Sequence, residues 1–151
     1  MDLKDINEGL NTYLRPQSFP VAVRMCEKGE VLPEKVRIAK RDLGISITVC
    51  QAIAMARRYG WTIAIGKEDQ ICPHGLVVLG FVSGKGYRDG SIAENVGLWK
   101  REEFVKISQG LYFLEYGRYH YLLASPLHSA RFAPDFIIIY GNPAQIARLV
   151  Q

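Results

Sequence analysis

Three cysteines, Cys26, Cys50 and Cys72, have the widest chemical reach in this sequence. A thiolate is both a nucleophile and a soft metal ligand, and its supply depends on how far the surroundings lower the thiol pKa. Cys50 falls in the first turn of a helix that begins at Ser46 or Thr48, and Cys72 immediately precedes Pro73 at the start of another. Backbone N–H groups and the positive end of a helix dipole favour a thiolate at such positions. Two thiols so placed could hold a soft metal, one edge of an iron–sulfur cluster or a reactive electrophile. His74, two residues after Cys72, would extend the metal set to Cys50, Cys72 and His74. No CxxC pair is present, so spacing alone assembles nothing and the fold must bring the sulfurs together. A homodimer would supply two such thiols from each copy. The plain alternative is burial, since free cysteine is among the most buried residue types. Cys26, at the end of an expected strand, is read that way.

Other segments carry weaker signals. In the run Gly80 to Gly86, Gly80 and Gly84 are separated by three residues where a phosphate loop needs four, and Gly86 stands where Ser or Thr would hold Mg²⁺. The stretch Gly80 to Gly90 therefore reads as an exposed, flexible lid or hairpin, with Lys85 and Arg88 available to an anion. Asn142 and Pro143 open a helix just after an expected strand, where backbone donors could meet a carboxylate or phosphate, or where Asn142 simply caps. Lys35, Arg37, Lys40 and Arg41, then Arg57 and Arg58, together with aromatics at Tyr112, Phe113 and Tyr116 to Tyr121, are the ingredients of a nucleic-acid surface. The first cluster alternates with Val36, Ile38 and Ala39, which also fits a solvated strand face. His120 and His128 have no Ser or Asp at a diagnostic spacing, and neither GxSxG nor HExxH occurs. Glu68 and Asp69 read as carboxylates of a solvated loop, able in principle to bind a cation or act as a base.

The elements that must position these residues follow from periodicity and punctuation. Leu3, Ile6, Leu10 and Leu14 fall on one helical face, closed by Pro16. Phe19 to Cys26 reads as a strand, and Lys35 to Lys40 as a second, at an edge. The helix carrying Cys50 has Thr48 as N-cap, Arg57 and Arg58 at its C-terminal end and Gly60 as its stop. A short strand, Trp61 to Ile65, follows, then a short helix from Cys72 to Leu79 with Pro73 at its first position. Ile92 to Leu98 reads as a helical turn, Arg101 to Gln109 as a helix ended by Gly110, and Tyr119 to Ser125 as a strand. Phe136 to Tyr140 reads as the clearest buried strand, followed by a helix from Pro143 to Gln151 capped by Asn142.

Composition bounds the rest. The chain has 151 residues, 48% of them apolar and 23% charged, which suits one domain over residues 1–151 and excludes disorder. The expected class is α/β, with α+β second: a mixed sheet with helices packed on its faces. The net charge of +4 permits an anionic partner without demanding one. No apolar run approaches the ~18–20 residues a membrane span needs, and the charged start carries no secretory signal, so the expected setting is the cytoplasm, with reduced thiols.

Four segments together resemble one family: PVAVRM (Pro20 to Met25), VCQAIAMAR (Val49 to Arg57), the run from Glu68 to Gly75, and PDFIIIYGNPAQIARLVQ (Pro134 to Gln151). The last is the most specific, a Pro-Asp before an apolar strand and then Tyr-Gly-Asn-Pro-Ala-Gln. The chain is similar to the domain of unknown function 169 family, an archaeal and bacterial group of cysteine-containing proteins. The resemblance implies an α/β fold, no established activity, and Cys50 with Gln51, and Cys72, as the residues of interest. It also implies a longer protein, with a C-terminal portion carrying further cysteines that this sequence does not contain. The expectation is a protein binding a small molecule or anionic ligand, a soft metal or an iron–sulfur cluster, through Cys50, Gln51, Cys72 and Asn142. The alternative is a non-enzymatic interaction module that binds nucleic acid through its basic clusters and aromatics.

Overall fold

A computed structural model describes residues 2–95, 97 and 99–151. One five-stranded mixed sheet, in the order β2-β3-β4-β1-β5, carries helices on both faces. The elements are α1 (Leu3–Gly9, continuing as a π-helical turn over Leu10–Leu14), β1 (Val21–Glu27), β2 (Arg37–Ile38), α2 (Ala39–Leu43), α3 (Val49–Tyr59), β3 (Ile63–Gly66), α4 (Pro73–Val78), α5 (Lys85–Arg88), α6 (Ser91–Asn95), α7 (Arg101–Gln109), β4 (Tyr119–Pro126), β5 (Phe136–Ile138) and α8 (Pro143–Val150). The α/β expectation holds. Within the sheet β2 and β3 run parallel, joined through α2 and α3, and the β3–β4, β4–β1 and β1–β5 pairs are antiparallel.

The alternation of side chains along β1 sets the two layers. Val21 and Val23 face α3 and meet Ile63, Ile65, Leu122 and Ala124, while Ala22 and Cys26 face α1 and meet Ala64, Leu123 and Leu127. Strand β1 is apolar on both faces because both are covered, which is what a central strand between two helical layers requires. Beyond Val23 its outer edge loses β5, and the Asp135 carboxylate takes over by accepting the Met25 N–H at 2.7 Å. That is the role of the Pro-Asp pair ahead of β5.

Three expectations are corrected. The strand foreseen over Lys35 to Lys40 is only two residues long, because its later N–H groups leave the ladder. Ile38 N–H goes to the Asp42 carboxylate at 2.7 Å and Lys40 N–H to that of Asp69 at 2.8 Å, and α2 starts instead. The run Phe136 to Tyr140 is not a buried strand. It pairs over three residues with β1 alone, at the sheet edge, with Phe136 51% and Tyr140 45% exposed. The glycine-rich stretch is not an open lid. Gly80, Phe81 and Gly90 are buried, α5 forms inside it, and Tyr87 packs edge-on against Phe104 at 5.0 Å. Gly80 sits at φ +72°, where a Cβ would come within 2.5 Å of the Glu115 carbonyl, so glycine lets the two chain segments touch.

The helical turn expected over Ile92 to Leu98 appears as α6, while Val96 and Leu98 lie outside the described residues. Among the described residues no helix is long and apolar enough to cross a membrane.

Candidate functional site

Helices α3 and α4 start from the same place. An isolated parallel bridge joins Ile47 to Gln70: Ile47 N–H donates to the Asp69 carbonyl at 2.8 Å, and Ile71 N–H donates to the Ile47 carbonyl at 3.2 Å. Directly after the bridge one segment turns into α3 and the other into α4. A Cβ placed on Gly75, in the first turn of α4, would stand 3.5 Å from the Val49 side chain in the first turn of α3. The fold thus brings together the two turns that carry Cys50 and Cys72. Cys50 is exposed and Cys72 half-buried, whereas Cys26 is sealed into the layer beneath α1. Burial above all pushes the Cys26 thiol up, the Glu30 and Asp135 carboxylates add to this, and Arg24 opposes it. Cys26 is thus the buried thiol of the three, which agrees with its expected place at a strand end.

Asp69 holds this junction. Only 4% exposed, its carboxylate accepts the Lys40 N–H at 2.8 Å and the Gly66 N–H at 2.9 Å. One buried side chain therefore ties the end of β3, the start of α2 and the bridge to one another. This corrects the reading of Asp69 as a solvated loop carboxylate; both its oxygens serve backbone donors. Glu68 beside it remains exposed.

Gln70 is the anomaly. It is 5% exposed, and among the described residues neither its amide nitrogen nor its carbonyl oxygen has a hydrogen-bond partner. Its Nε2 would lie 2.9 Å from a Cβ on Gly75, which places the amide between the first turns of α3 and α4. A buried amide with both ends unpaired costs about 1–3 kcal/mol. A donor–acceptor group supplied from outside the chain would remove that cost.

The surroundings of Cys72 are specific. Its sulfur is the N-cap acceptor of α4, taking the Gly75 N–H at 3.5 Å. Helix α4 has only six residues, whereas α3 has eleven. His74 Nδ1 is hydrogen-bonded to the Tyr87 hydroxyl, with the rings 5.2 Å apart. Burial first, and then the neighbouring Cys72, push the Tyr87 phenol above its usual range. Among the described residues no group of three or more His, Cys, Asp or Glu side chains is arranged to hold a metal ion. Cys50, Cys72 and His74 therefore make no metal centre by themselves.

The other expected ligand residues are spent or lie elsewhere. Gln51 closes a capping box: its Oε1 accepts the Thr48 N–H at 2.8 Å while its own N–H donates to Thr48 Oγ1 at 3.2 Å. Asn142 does the same for α8, accepting the Gln145 N–H at 2.9 Å, and Gln145 Nε2 reaches on to the carbonyls of Leu14 and Arg15 at 3.0 and 2.7 Å. Asn142 lines a hollow with Arg57 and Arg58, at the far end of α3 from Cys50. Arg57 follows Cys50 by seven helical positions, roughly 10 Å along the axis. The four expected ligand residues are thus divided between two places. Of the basic cluster, Arg37 lies over Trp61 at 4.5 Å and Arg41 pairs with Asp42 at 2.8 Å.

Sequence reasoning missed Asp69, Gln70 and Tyr87, the side chains that make the junction polar. Local pattern alone does not mark them, because their partners Lys40, Ile47 and His74 belong to other elements of the chain.

No curated protein and no solved structure matches the chain significantly. The model of the DUF169 family, described as Uncharacterised ArCR, matches residues 9–151. The capping box and carbonyl clamp of Asn142 to Gln145, the Asp135 edge contact and the two thiol-bearing helix starts all fall within that span, and the chain belongs to the DUF169 family.

Proposed function

We propose that this protein binds a small ligand at the junction of α3 and α4, through soft contacts to Cys50 and Cys72 and hydrogen bonds to Gln70. The observation that carries the reading is the unpaired Gln70 amide, buried between the two thiol-bearing turns. A core glutamine with no partner is a poor stabiliser and a good recognition element, since a ligand with one donor and one acceptor satisfies both its ends. The Tyr87 phenol beside Cys72 adds a further polar group. A soft-metal or iron–sulfur version of the site would draw its remaining donors from outside Cys50 and Cys72, with a second copy of the chain as their source.

Thiol chemistry tests this directly. In native protein, iodoacetamide should modify Cys50 and Cys72 well before Cys26, followed residue by residue by mass spectrometry. Dibromobimane, which fluoresces strongly once both its arms are alkylated, should bridge Cys50 and Cys72. Equal inertness of all three thiols, or single-arm modification with no bridge, removes the site. Anaerobic purification followed by absorption spectroscopy tests the cluster version, which requires charge-transfer bands.

A further inference from the structure

The opposite end of α3 carries a different arrangement. Two hollows, of about 500 and 360 Å³, share Gln17, Ser18, Arg57 and Arg58 in their walls, so they form one trough with two lobes. No Asp or Glu lines either lobe. Among the described residues, neither Arg57 nor Arg58 forms an ion pair. The Arg57 guanidinium lies over the Tyr140 ring at 4.0 Å, and its Nε is buried without a hydrogen-bond partner among the described residues. Stacking on the ring fixes the plane of the fork and leaves its donors unspent.

Two guanidinium charges outweigh the roughly half unit of negative charge at the C-terminal end of α3, so the trough attracts anions. Helix α8 contributes position more than charge. Its capping box uses the Gln145 N–H and Asn142 Oδ1, and Pro143 has no N–H to offer. What remains is the clamp of Gln145 on the Leu14 and Arg15 carbonyls, which fastens the wall carrying Tyr140 and Asn142 against the end of α1.

We propose that this trough binds the phosphate monoester of a small polar molecule, with the phosphate on Arg57 and Arg58. A phosphate monoester carries close to two negative charges at neutral pH and three terminal oxygens. It matches two adjacent guanidiniums and the Ser18 hydroxyl, where a single carboxylate would leave donors unpaired. The larger lobe, with Asn7 and Asn11 on one side and the tilted Phe19–His128 ring pair at 4.8 Å, receives the body of the ester. Amides pair with hydroxyl or heterocycle edges, and the rings cover a flat or apolar face. The volumes lie in the range of small-molecule sites.

The test is titration calorimetry with phosphorus NMR on the full chain at physiological salt. The probes are AMP, glycerol phosphate, adenosine, inorganic phosphate, citrate and a single-stranded oligonucleotide. At least one ester should bind more tightly than inorganic phosphate, and adenosine should not bind. Arg58→Ala, at an exposed position, should weaken the ester by about ten- to hundredfold with an unchanged melting temperature. Arg57→Lys keeps the charge but loses the fork, and should weaken it by about tenfold. The proposal is overturned by failure of both esters, by an ester no tighter than inorganic phosphate, by equal binding of adenosine, or by tighter binding of citrate or the oligonucleotide. It is equally overturned if both variants bind as the wild type does.

Discussion

The two ends of α3 were built by different means. At the N-terminal end the backbone does the assembling: a bridge between Ile47 and Gln70 aligns two segments, and Asp69 locks them from inside. At the C-terminal end side chains do it: Arg57 stacks on Tyr140, and Gln145 clamps one wall to the end of α1. The groups that lock the first end, Ile47, Asp69 and Gln70, are buried and tolerate little change, although Cys50 beside them is exposed. The second is open, and its parts can be exchanged one at a time. The contrast separates what a variant does to folding from what it does to a ligand.

The largest expected effect is at the thiol end. Asp69→Ala removes the acceptor of two backbone N–H groups inside the protein and should cost about 3 kcal/mol. That would lower the melting temperature by roughly 6–12 °C. Urea titration measures it, and the dibromobimane bridge between Cys50 and Cys72 should fade in the same variant. A variant that lost stability yet kept the bridge would show that Asp69 braces the fold without setting the junction.

Gln145→Ala is the counterpart at the other end. It opens a capping box and frees the carbonyls of the buried Leu14 and the exposed Arg15, so a cost of about 1–2 kcal/mol is expected. Phosphate-ester binding should weaken, while alkylation of Cys50 and Cys72 proceeds as before. A matched loss at both ends would mean that α3 moves as one unit and that the contrast between its ends is not real.

What could be read in advance follows the same division. Thr48, Gln51, Gly60, Asn142 and Pro143 act on neighbours a few residues away, and so α3 and α8 stand where local signals put them. Asp69 and Gln70 act through Lys40 and Ile47, more than twenty residues earlier, and hydrophilic spacing in GKEDQ looks the same whether a loop is solvated or folded inward. The apolar run from Phe136 was misread because composition reports that a strand can be buried, not whether a layer exists to bury it. The cysteines were found by type, and the fold supplied the proximity of their turns that spacing lacked. Gln51 was assigned to a ligand although Thr-x-x-Gln is a capping-box signature, and the unspent amide is Gln70 instead.

Gln70→Leu reverses the usual sign. Removing an unpaired buried amide for a side chain of similar size should leave stability unchanged or raise it by about 1 kcal/mol, with any bound ligand lost. A marked destabilisation, measured by the same urea titration, would mean that the amide is satisfied within the protein by buried water, and the strongest support for the thiol-end site would go with it.

The smallest effect refines the contrast by setting a surface carboxylate against the buried one. Asp42 also serves the thiol end, accepting the Ile38 N–H where β2 gives way to α2, but from an exposed position. The Arg41 side chain and then the Ile38 N–H hold its carboxyl down at about 2, below its ordinary 3.8. The folded protein therefore favours the ionised form. The stability this supplies is present above pH 3.8 and is lost as the pH falls towards 2. Asp42→Asn should flatten the acid limb of a plot of stability against pH in that window and leave the neutral plateau nearly in place. Because the pair with Arg41 is solvated, salt should erode the difference between variant and wild type, whereas the cost of losing Asp69 should persist at high ionic strength. If salt erased both, the thiol end would be held by surface charge, and its description as an internally locked junction would fail.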